Sequence, residues 1–127
     1  MKQVSFEIQH KAISINHVYG MRRVGKFCIK YVTPKGKEFK RFVEVAAEPV
    51  RPRDLYTGDI SMEIIYHFKD KRKHDIDNYS KHILDALSGL IYVDDKQVTD
   101  LRLQKIQPSE RDYIEVIVME MPNKQKV

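Results

Sequence analysis

The chain of 127 residues contains one cysteine, no tryptophan and only five glycines. A single cysteine cannot form a disulfide within the chain, and we expect a reducing, cytoplasmic location. No apolar run approaches the roughly 18 residues of a membrane span, and the alternating N-terminus lacks the apolar centre of a signal peptide. The scattered glycines form neither a phosphate-binding loop nor a dinucleotide fingerprint. These absences argue against a membrane protein, a disulfide-linked domain and nucleotide-binding enzymes of those two types.

Basic residues outnumber acidic ones, 23 to 18, which gives a formal net charge of +5. A basic surface favours a polyanionic partner, although charge alone does not identify that partner as nucleic acid. The candidate contacts form one basic segment and one pair nearer the N-terminus: Lys69, Lys71, Arg72, Lys73, Arg22 and Arg23.

Length and periodicity predict one domain over residues 1–121, followed by a polar tail, 122–127. Segments in which apolar and polar residues alternate predict strands at 4–9, 24–32, 60–68, 98–106 and 113–119. The polar and basic segment 14–23 is expected to be a loop.

Two helices are expected to pack against this sheet. The first begins at Thr33-Pro34, a hydroxyl cap followed by proline at the first helical position. Its predicted apolar stripe consists of Phe39, Phe42, Val43, Ala46 and Ala47. The second helix carries Tyr79, Ile83, Leu87 and Leu90 at helical spacing, and Gly89 is expected to end it. The fold class is therefore α/β (α+β), a mixed β-sheet packed against two main helices.

An acidic pair, Asp75 and Asp77, lies at the predicted junction between a strand and the second helix. Side chains two residues apart in an extended chain point to the same side, so both carboxylates can face one cavity. Asp and Asn are also common helix caps, so the pair alone is weak evidence for a metal site.

Lys81 strengthens the interpretation, because it lies four residues after Asp77, one helical turn along the same face. It could be an exposed lysine that forms weak ion pairs with Asp77 and Asp85. Alternatively, it could hold a phosphoryl oxygen and stabilise charge in a transition state.

Asp94 and Asp95 follow the second helix and could form a simple turn or cap, or add a third carboxylate to Asp75 and Asp77. Three carboxylates suit a hard, oxygen-liking ion such as Mg²⁺, which would activate water and neutralise a scissile phosphate. The histidines show no zinc-type spacing. His17 and His74 could touch substrate, but we interpret them as incidental surface residues.

Three acidic and helical motifs resemble the RusA family of Holliday-junction resolvases, which carry D-L-D-N-x-x-K, D-A-L and D-D-x-Q-V in this order. The corresponding segments here are Asp75-Ile76-Asp77-Asn78-Tyr79-Ser80-Lys81, Leu84-Asp85-Ala86-Leu87 and Val93-Asp94-Asp95-Lys96-Gln97-Val98. Weaker similarity includes Ser14-Ile15-Asn16-His17-Val18-Tyr19 and Thr33-Pro34-Lys35-Gly36. These pieces cover most of the chain.

The resemblance implies a homodimeric, Mg²⁺-dependent endonuclease, with Mn²⁺ as a substitute, that makes paired nicks in four-way DNA junctions. It assigns Asp75, Asp77 and Asp95 to the metal and Lys81 as the essential catalytic lysine. Asp94 is the less favoured member of its pair. Asn16, in the N-terminal loop, would join the DNA contacts.

Two other functions remain open. One is a non-catalytic basic module that binds nucleic acid, in which the acids are caps and surface charges. The other is a nuclease with a similar site that acts on flaps or RNA. DNA cleavage that requires Mg²⁺ would distinguish an enzyme from the binding module. A comparison of cleavage of junction, flap and RNA substrates would distinguish the junction resolvase from the other nuclease.

Overall fold

The computed structural model describes residues 2–122. Its strands are β1 (Lys2–Ile8), β2 (Tyr19–Val24), β3 (Phe27–Val32), β4 (Ile60–His67), β5 (Val98–Ile106) and β6 (Tyr113–Glu120). Its α-helices are α1 (Ile15–Val18), α2 (Pro34–Ala47) and α3 (Lys81–Leu87). Short 3₁₀ turns span Glu48–Val50, Ile76–Asn78 and Asp95–Gln97.

Four strands form the main sheet in the order β1-β6-β4-β5. β4 pairs in parallel with β5 and antiparallel with β6, which also pairs antiparallel with β1. Alternate residues of β4, including Ile60, Met62 and Ile64, are fully buried, as the alternating pattern predicts. The predicted mixed sheet with two main helices is confirmed.

Helix α2 begins where the sequence predicts. The Thr33 side chain accepts a hydrogen bond from the Gly36 backbone N–H at 3.0 Å, and Pro34 occupies the first turn. Phe39, Val43 and Ala47 are buried one turn apart. The predicted stripe is too wide, because Phe42 is 38 % exposed and packs edge-on against His10 at the surface.

Helix α3 is shorter than the apolar spacing predicts. A 3₁₀ turn at Ile76–Asn78 precedes it, and the helix itself runs only from Lys81 to Leu87. Ser88 leaves the helix with a ψ of 126°, and Gly89 follows with a φ of 84°, a left-handed conformation that favours glycine. The helix therefore ends near the predicted position, with its cap at Ser88, one residue before Gly89.

The predictions for residues 14–32 were right only in part, because β3 lies within the strand expected at 24–32 but the expected loop at 14–23 is not one. The expected loop contains helix α1, and β2 and β3 form a separate antiparallel hairpin in place of a single strand at 24–32. Gly25, with a φ of 61°, makes the tight turn between the strands. Most of the hairpin is exposed on both faces, so neither strand has the one buried face that the alternation rule assumes.

Within residues 2–122 no helix has the length and apolar character that crossing a membrane requires. Of the predicted polar tail, 122–127, residues 123–127 lie outside the described part of the chain.

Candidate functional site

The acidic pair lies on the connection between β4 and α3. Asp75 is the residue before the 3₁₀ turn, and its backbone carbonyl accepts a hydrogen bond from the Asn78 N–H at 3.1 Å. The Asp75 side chain makes no capping hydrogen bond, and both Asp75 and Asp77 are exposed. The turn therefore presents two carboxylates at the surface and does not use the first one as a helix cap.

Lys81 is the first residue of α3 and lies between two carboxylates. Its Nζ is 3.0 Å from Asp85 Oδ1 and 3.1 Å from Asp95 Oδ2. Hydrogen bonds to Asp85 and then to Asp95 raise the pKa of Lys81, so the ammonium form is favoured. The expected Lys81–Asp77 pair is not among its ion pairs, because the 3₁₀ turn and Tyr79-Ser80 interrupt the helical spacing between them.

Asp85 joins the site to the β2–β3 hairpin. Its Oδ2 accepts a hydrogen bond from the Tyr19 hydroxyl at 3.1 Å, while Oδ1 faces Lys81. Burial raises the pKa of Asp85, but the hydrogen bonds, led by the one from Lys81, outweigh this effect and lower the pKa. Asp85 is therefore an anionic bridge between α3 and the root of the hairpin.

Asp94 and Asp95 have different surroundings. The Asp94 side chain accepts a hydrogen bond from the Lys96 backbone N–H at 2.9 Å and caps the 3₁₀ turn that follows. Gln97 closes this turn by accepting from the Asp94 backbone N–H at 2.9 Å, and it donates to the Tyr56 carbonyl at 2.8 Å. Asp94 thus shapes the turn, and Asp95 reaches Lys81.

The structure brings Lys81, Asp85, Asp95 and Tyr19 together. Among residues 2–122 it places no three histidine, cysteine, aspartate or glutamate side chains close enough to hold a metal ion. The assignment of Asp75, Asp77 and Asp95 as one metal-binding set therefore stays a prediction. The chemistry of these donors fits the hard cations Mg²⁺ and Mn²⁺, since all three are carboxylates.

Asp70 organises the basic segment that precedes the acidic pair. Its carboxylate is 2.8 Å from the Nζ of Lys11 and 2.8 Å from the Nε2 of His74, and it accepts from the Arg72 backbone N–H at 3.1 Å. Hydrogen bonds from Lys11 and then His74 hold the pKa of Asp70 well below its usual range. Gln107 Nε2 donates to the backbone carbonyls of Asp70 and Arg72, at 2.8 and 2.6 Å.

His74 is not the incidental surface residue that we expected. Its ring stacks on the buried Phe68 ring with centroids 3.8 Å apart and planes 8° apart. It also hydrogen-bonds the Tyr79 hydroxyl at 3.0 Å. The sequence gives little sign that His74 is held in place, because its ion-pair partner Asp70 lies within a run of charged residues and does not stand out there.

The candidate DNA contacts all lie on exposed positions. The basic segment next to the acidic turn carries Lys69, Lys71, Arg72 and Lys73. The remaining candidates are Asn16 in α1 and Arg22 and Arg23 in β2. Hydrogen bonds from Gln107 and to Asp70 hold the backbone of the basic segment, which directly precedes Asp75 in the chain.

A cavity of about 100 Å³ lies behind the ion pairs, and its lining includes Tyr19, Phe39, Lys40, His82 and Asp85. His82 is only 6 % exposed, and within residues 2–122 neither ring nitrogen has a hydrogen-bond partner. Burial lowers the pKa of His82 to about 4.

Comparison with known proteins identifies the family. The family described as "Endodeoxyribonuclease RusA" matches residues 16–119. The chain belongs to the RusA family. A match over this range includes the hairpin, the acidic turn, Lys81 and Asp95, so the resemblance seen in the motifs is confirmed.

Individual RusA-family relatives match to different extents. The uncharacterized protein YqaN of Bacillus subtilis is 31% identical and aligns with 95% of this chain and 99% of its own length. The crossover junction endodeoxyribonuclease RusA of Escherichia coli K12 is 34% identical over 65 residues, which is 50% of this chain and 54% of that protein. The protein of the same name from Enterobacteria phage 82 matches equally well. The chain therefore spans about half the length of these named nucleases.

Proposed function

We propose that this chain is a Mg²⁺-dependent endodeoxyribonuclease that resolves four-way DNA junctions by paired cuts. The observation that carries the proposal is the Lys81 ammonium, held at 3.0 and 3.1 Å by Asp85 and Asp95. It stands in a RusA-family chain that also presents Asp75 and Asp77 at the surface.

Asp75, Asp77 and Asp95 would hold the metal. When bound, Mg²⁺ would supply a Lewis acid for the phosphate oxygens and lower the pKa of a water molecule. The carboxylate oxygens of these residues are the donors that this cation prefers.

Lys81 would stabilise negative charge on the phosphate that is cut. Its ammonium form is favoured, and Asp85 holds it on one side through an ion pair at 3.0 Å. A cation placed in advance stabilises developing charge without having to reorganise during the reaction. Asp85 would act through Lys81 as a positioning residue.

The exposed basic segment, Lys69 to Lys73, would bind the phosphates that flank the cut. Such contacts release counterions, so binding should weaken as the salt concentration rises. Salt dependence does not separate an enzyme from a binding module, because both use these contacts.

The first experiment incubates the protein with a labelled four-way junction, a duplex, a flap and an RNA of matched sequence, each with Mg²⁺ or with a chelator. We expect symmetric nicks in the junction alone, and only with metal. Failure to cut any substrate with Mg²⁺ would refute the enzyme and favour the binding module. Preferred cutting of the flap or the RNA would instead assign another substrate.

Neighbouring variants test the site itself. Asp95→Asn removes the charge that faces Lys81, whereas Asp94→Asn is the matched control, because asparagine caps a turn as well as aspartate does. We expect Asp95→Asn, like Asp75→Asn and Asp77→Asn, to abolish cleavage and retain junction binding. Asp94→Asn should retain both. Equal activity of the two neighbouring variants would contradict the role of Asp95.

Lys81→Ala should reduce cleavage far more than binding, because Lys81 would act on the reacting phosphate. Equal losses of cleavage and binding would make it a simple phosphate contact.

Paired cuts need two sites on one junction, so the active form would be a homodimer. The mass of the protein alone and on a junction, measured by light scattering, tests this part of the proposal. A monomer on the junction that makes single nicks would contradict it.

A further inference from the structure

The β2–β3 hairpin exposes large apolar side chains that the site described above does not use. Phe27, next to the turn, is 74 % exposed, and Met21 is 65 % exposed. Val24, Ile29 and Tyr31 are also exposed. The hairpin forms its own two-stranded sheet, apart from the main one. An exposed apolar surface of this kind marks an interaction site.

The charge of the hairpin indicates what it binds. From Ile8 to Lys37 the sequence contains no aspartate or glutamate. The hairpin carries Arg22, Arg23, Lys26 and Lys30. A second copy of this hairpin would place like charges opposite one another, which disfavours self-association. Bases and phosphates together offer a flat apolar face and negative charge, the two properties that complement this surface.

The root of the hairpin is fixed to the candidate site. Tyr19, the first residue of β2, donates from its hydroxyl to Asp85, which holds Lys81. The Lys30 ammonium lies 4.1 Å from the centre of the Tyr19 ring. At the same root, just after the last residue of β3, the Thr33 N–H donates to the Val18 carbonyl at 2.8 Å. Each strand has six residues, so the tip extends roughly 20 Å from this root.

We propose that the β2–β3 hairpin is an arm that binds the branch point of the DNA, with Phe27 stacked on a base exposed there. Its arginines and lysines contact the flanking phosphates. In an intact duplex each base is already stacked on both sides, whereas strands that change partners leave base faces open to an aromatic ring. Phe27 therefore recognises the branch and contributes little on duplex DNA. The inference rests on the proposed junction nuclease and names the residue that selects its substrate.

The test measures binding in chelator, so that cleavage plays no part. Fluorescence anisotropy gives the dissociation constants of a four-way junction and a matched duplex at one salt concentration. Phe27→Ala should weaken junction binding about tenfold, the loss expected for one base stacked on an aromatic ring. Duplex binding should change less than about twofold. Phe27→Trp should restore the preference for the junction, since tryptophan also stacks.

Val45→Ala is the matched control, because Val45 is 69 % exposed on α2 and away from the hairpin. It should bind both DNAs as the unaltered chain does. Because Phe27 is also exposed, its variants should keep the unaltered melting temperature.

Cross-linking from the chain's one cysteine tests where the β2–β3 hairpin lies on the DNA. Cys28 is exposed and adjoins Phe27, so a photoreactive maleimide attached there reports the position of the hairpin tip. Cross-links should map to nucleotides at the branch point. Cross-links confined to the outer ends of the four duplex arms of the junction would overturn the proposal.

Two further results would overturn the inference and leave the proposed nuclease intact. One is unchanged junction binding by Phe27→Ala in a protein that cuts junctions with Mg²⁺. The other is a fall in mass on Phe27→Ala, from dimer to monomer, which would assign the hairpin to a subunit interface. If the unaltered chain bound junction and duplex equally and cut neither, the proposed nuclease and the inference would both fall.

Discussion

His82 should make the folded protein sensitive to mild acid. Its ring packs against Phe39 with centroids 5.2 Å apart, and neither nitrogen has a hydrogen-bond partner in the part of the chain that the structure describes. Burial is the main cause that lowers the pKa of His82 to about 4. The nearby Ile13 backbone and the negative charge of Asp85 both favour the charged imidazolium, but burial outweighs them. The folded chain therefore holds a neutral imidazole in a site that disfavours its charged form.

The direction of the pH effect follows from the pKa of His82 in the folded and in the unfolded chain. In the unfolded chain the ordinary pKa is 6.5, so His82 takes up a proton there first as the pH falls. Its contribution is complete above about pH 6.5 and is lost progressively between about pH 6.5 and pH 4. At about 1.4 kcal/mol for each pKa unit, the total loss is about 3 kcal/mol, of which about 2.5 kcal/mol is lost by pH 4.5.

Urea unfolding at about pH 7 and about pH 4.5 measures this loss, if the unaltered chain is compared with His82→Leu. The difference in unfolding free energy between the two pH values should be about 2.5 kcal/mol smaller for His82→Leu. His17→Leu is the matched control, because His17 is exposed, and it should show the pH dependence of the unaltered chain. Parallel losses in the unaltered chain and His82→Leu would refute the reasoning, since His82 would then be free to take up its proton while folded.

Two further predictions concern stability. Gly36→Ala should lower the unfolding free energy by about 1–3 kcal/mol, because an added Cβ would lie 2.6 Å from the Val18 carbonyl oxygen. Lys37→Ala, an exposed neighbour in α2, should not lower it, and a Gly36→Ala melting temperature equal to that of Lys37→Ala would contradict the prediction. For Asp70→Asn, we expect lower stability at neutral pH. Because the folded pKa of Asp70 is depressed, its contribution is present above about pH 4 and is lost below it, so the variant should lose less stability in that range than the unaltered chain. Urea midpoints measured from neutral to acidic pH would exclude this if the two curves stayed parallel.

The sequence predicted the parts of the fold that bury a regular apolar pattern. β4 and β6 alternate, and α2 begins at a hydroxyl cap followed by proline, so local periodicity and capping chemistry were sufficient. Only β3 was predicted, and this dependence on a buried apolar pattern explains why the hairpin as a whole was missed. Its apolar side chains face outward, and the alternation method assumes that they face a core.

For the candidate site, the sequence supplied candidate residues but not the contacts between them. The motifs named Asp75, Asp77, Lys81 and Asp95, and the structure places Asp95 against Lys81. The hydrogen bond from Tyr19 to Asp85 joins residues that are 66 positions apart, and no local sequence pattern predicts such a contact. The Asp70 cluster likewise depends on Lys11 and Gln107, which are distant in the chain and adjacent only in the fold.

The position of β6 has a consequence for how the protein is made. β6 is the last strand of the described chain, yet it lies between β1 and β4, so neither of those strands can complete its pairing before β6 exists. During synthesis, β4, α3 and β5 can associate first, which assembles the segment from Asp75 to Asp95 while one edge of β4 is still open. Until Glu120 leaves the ribosome, β1 and β4 each present an unpaired edge to chaperones and proteases.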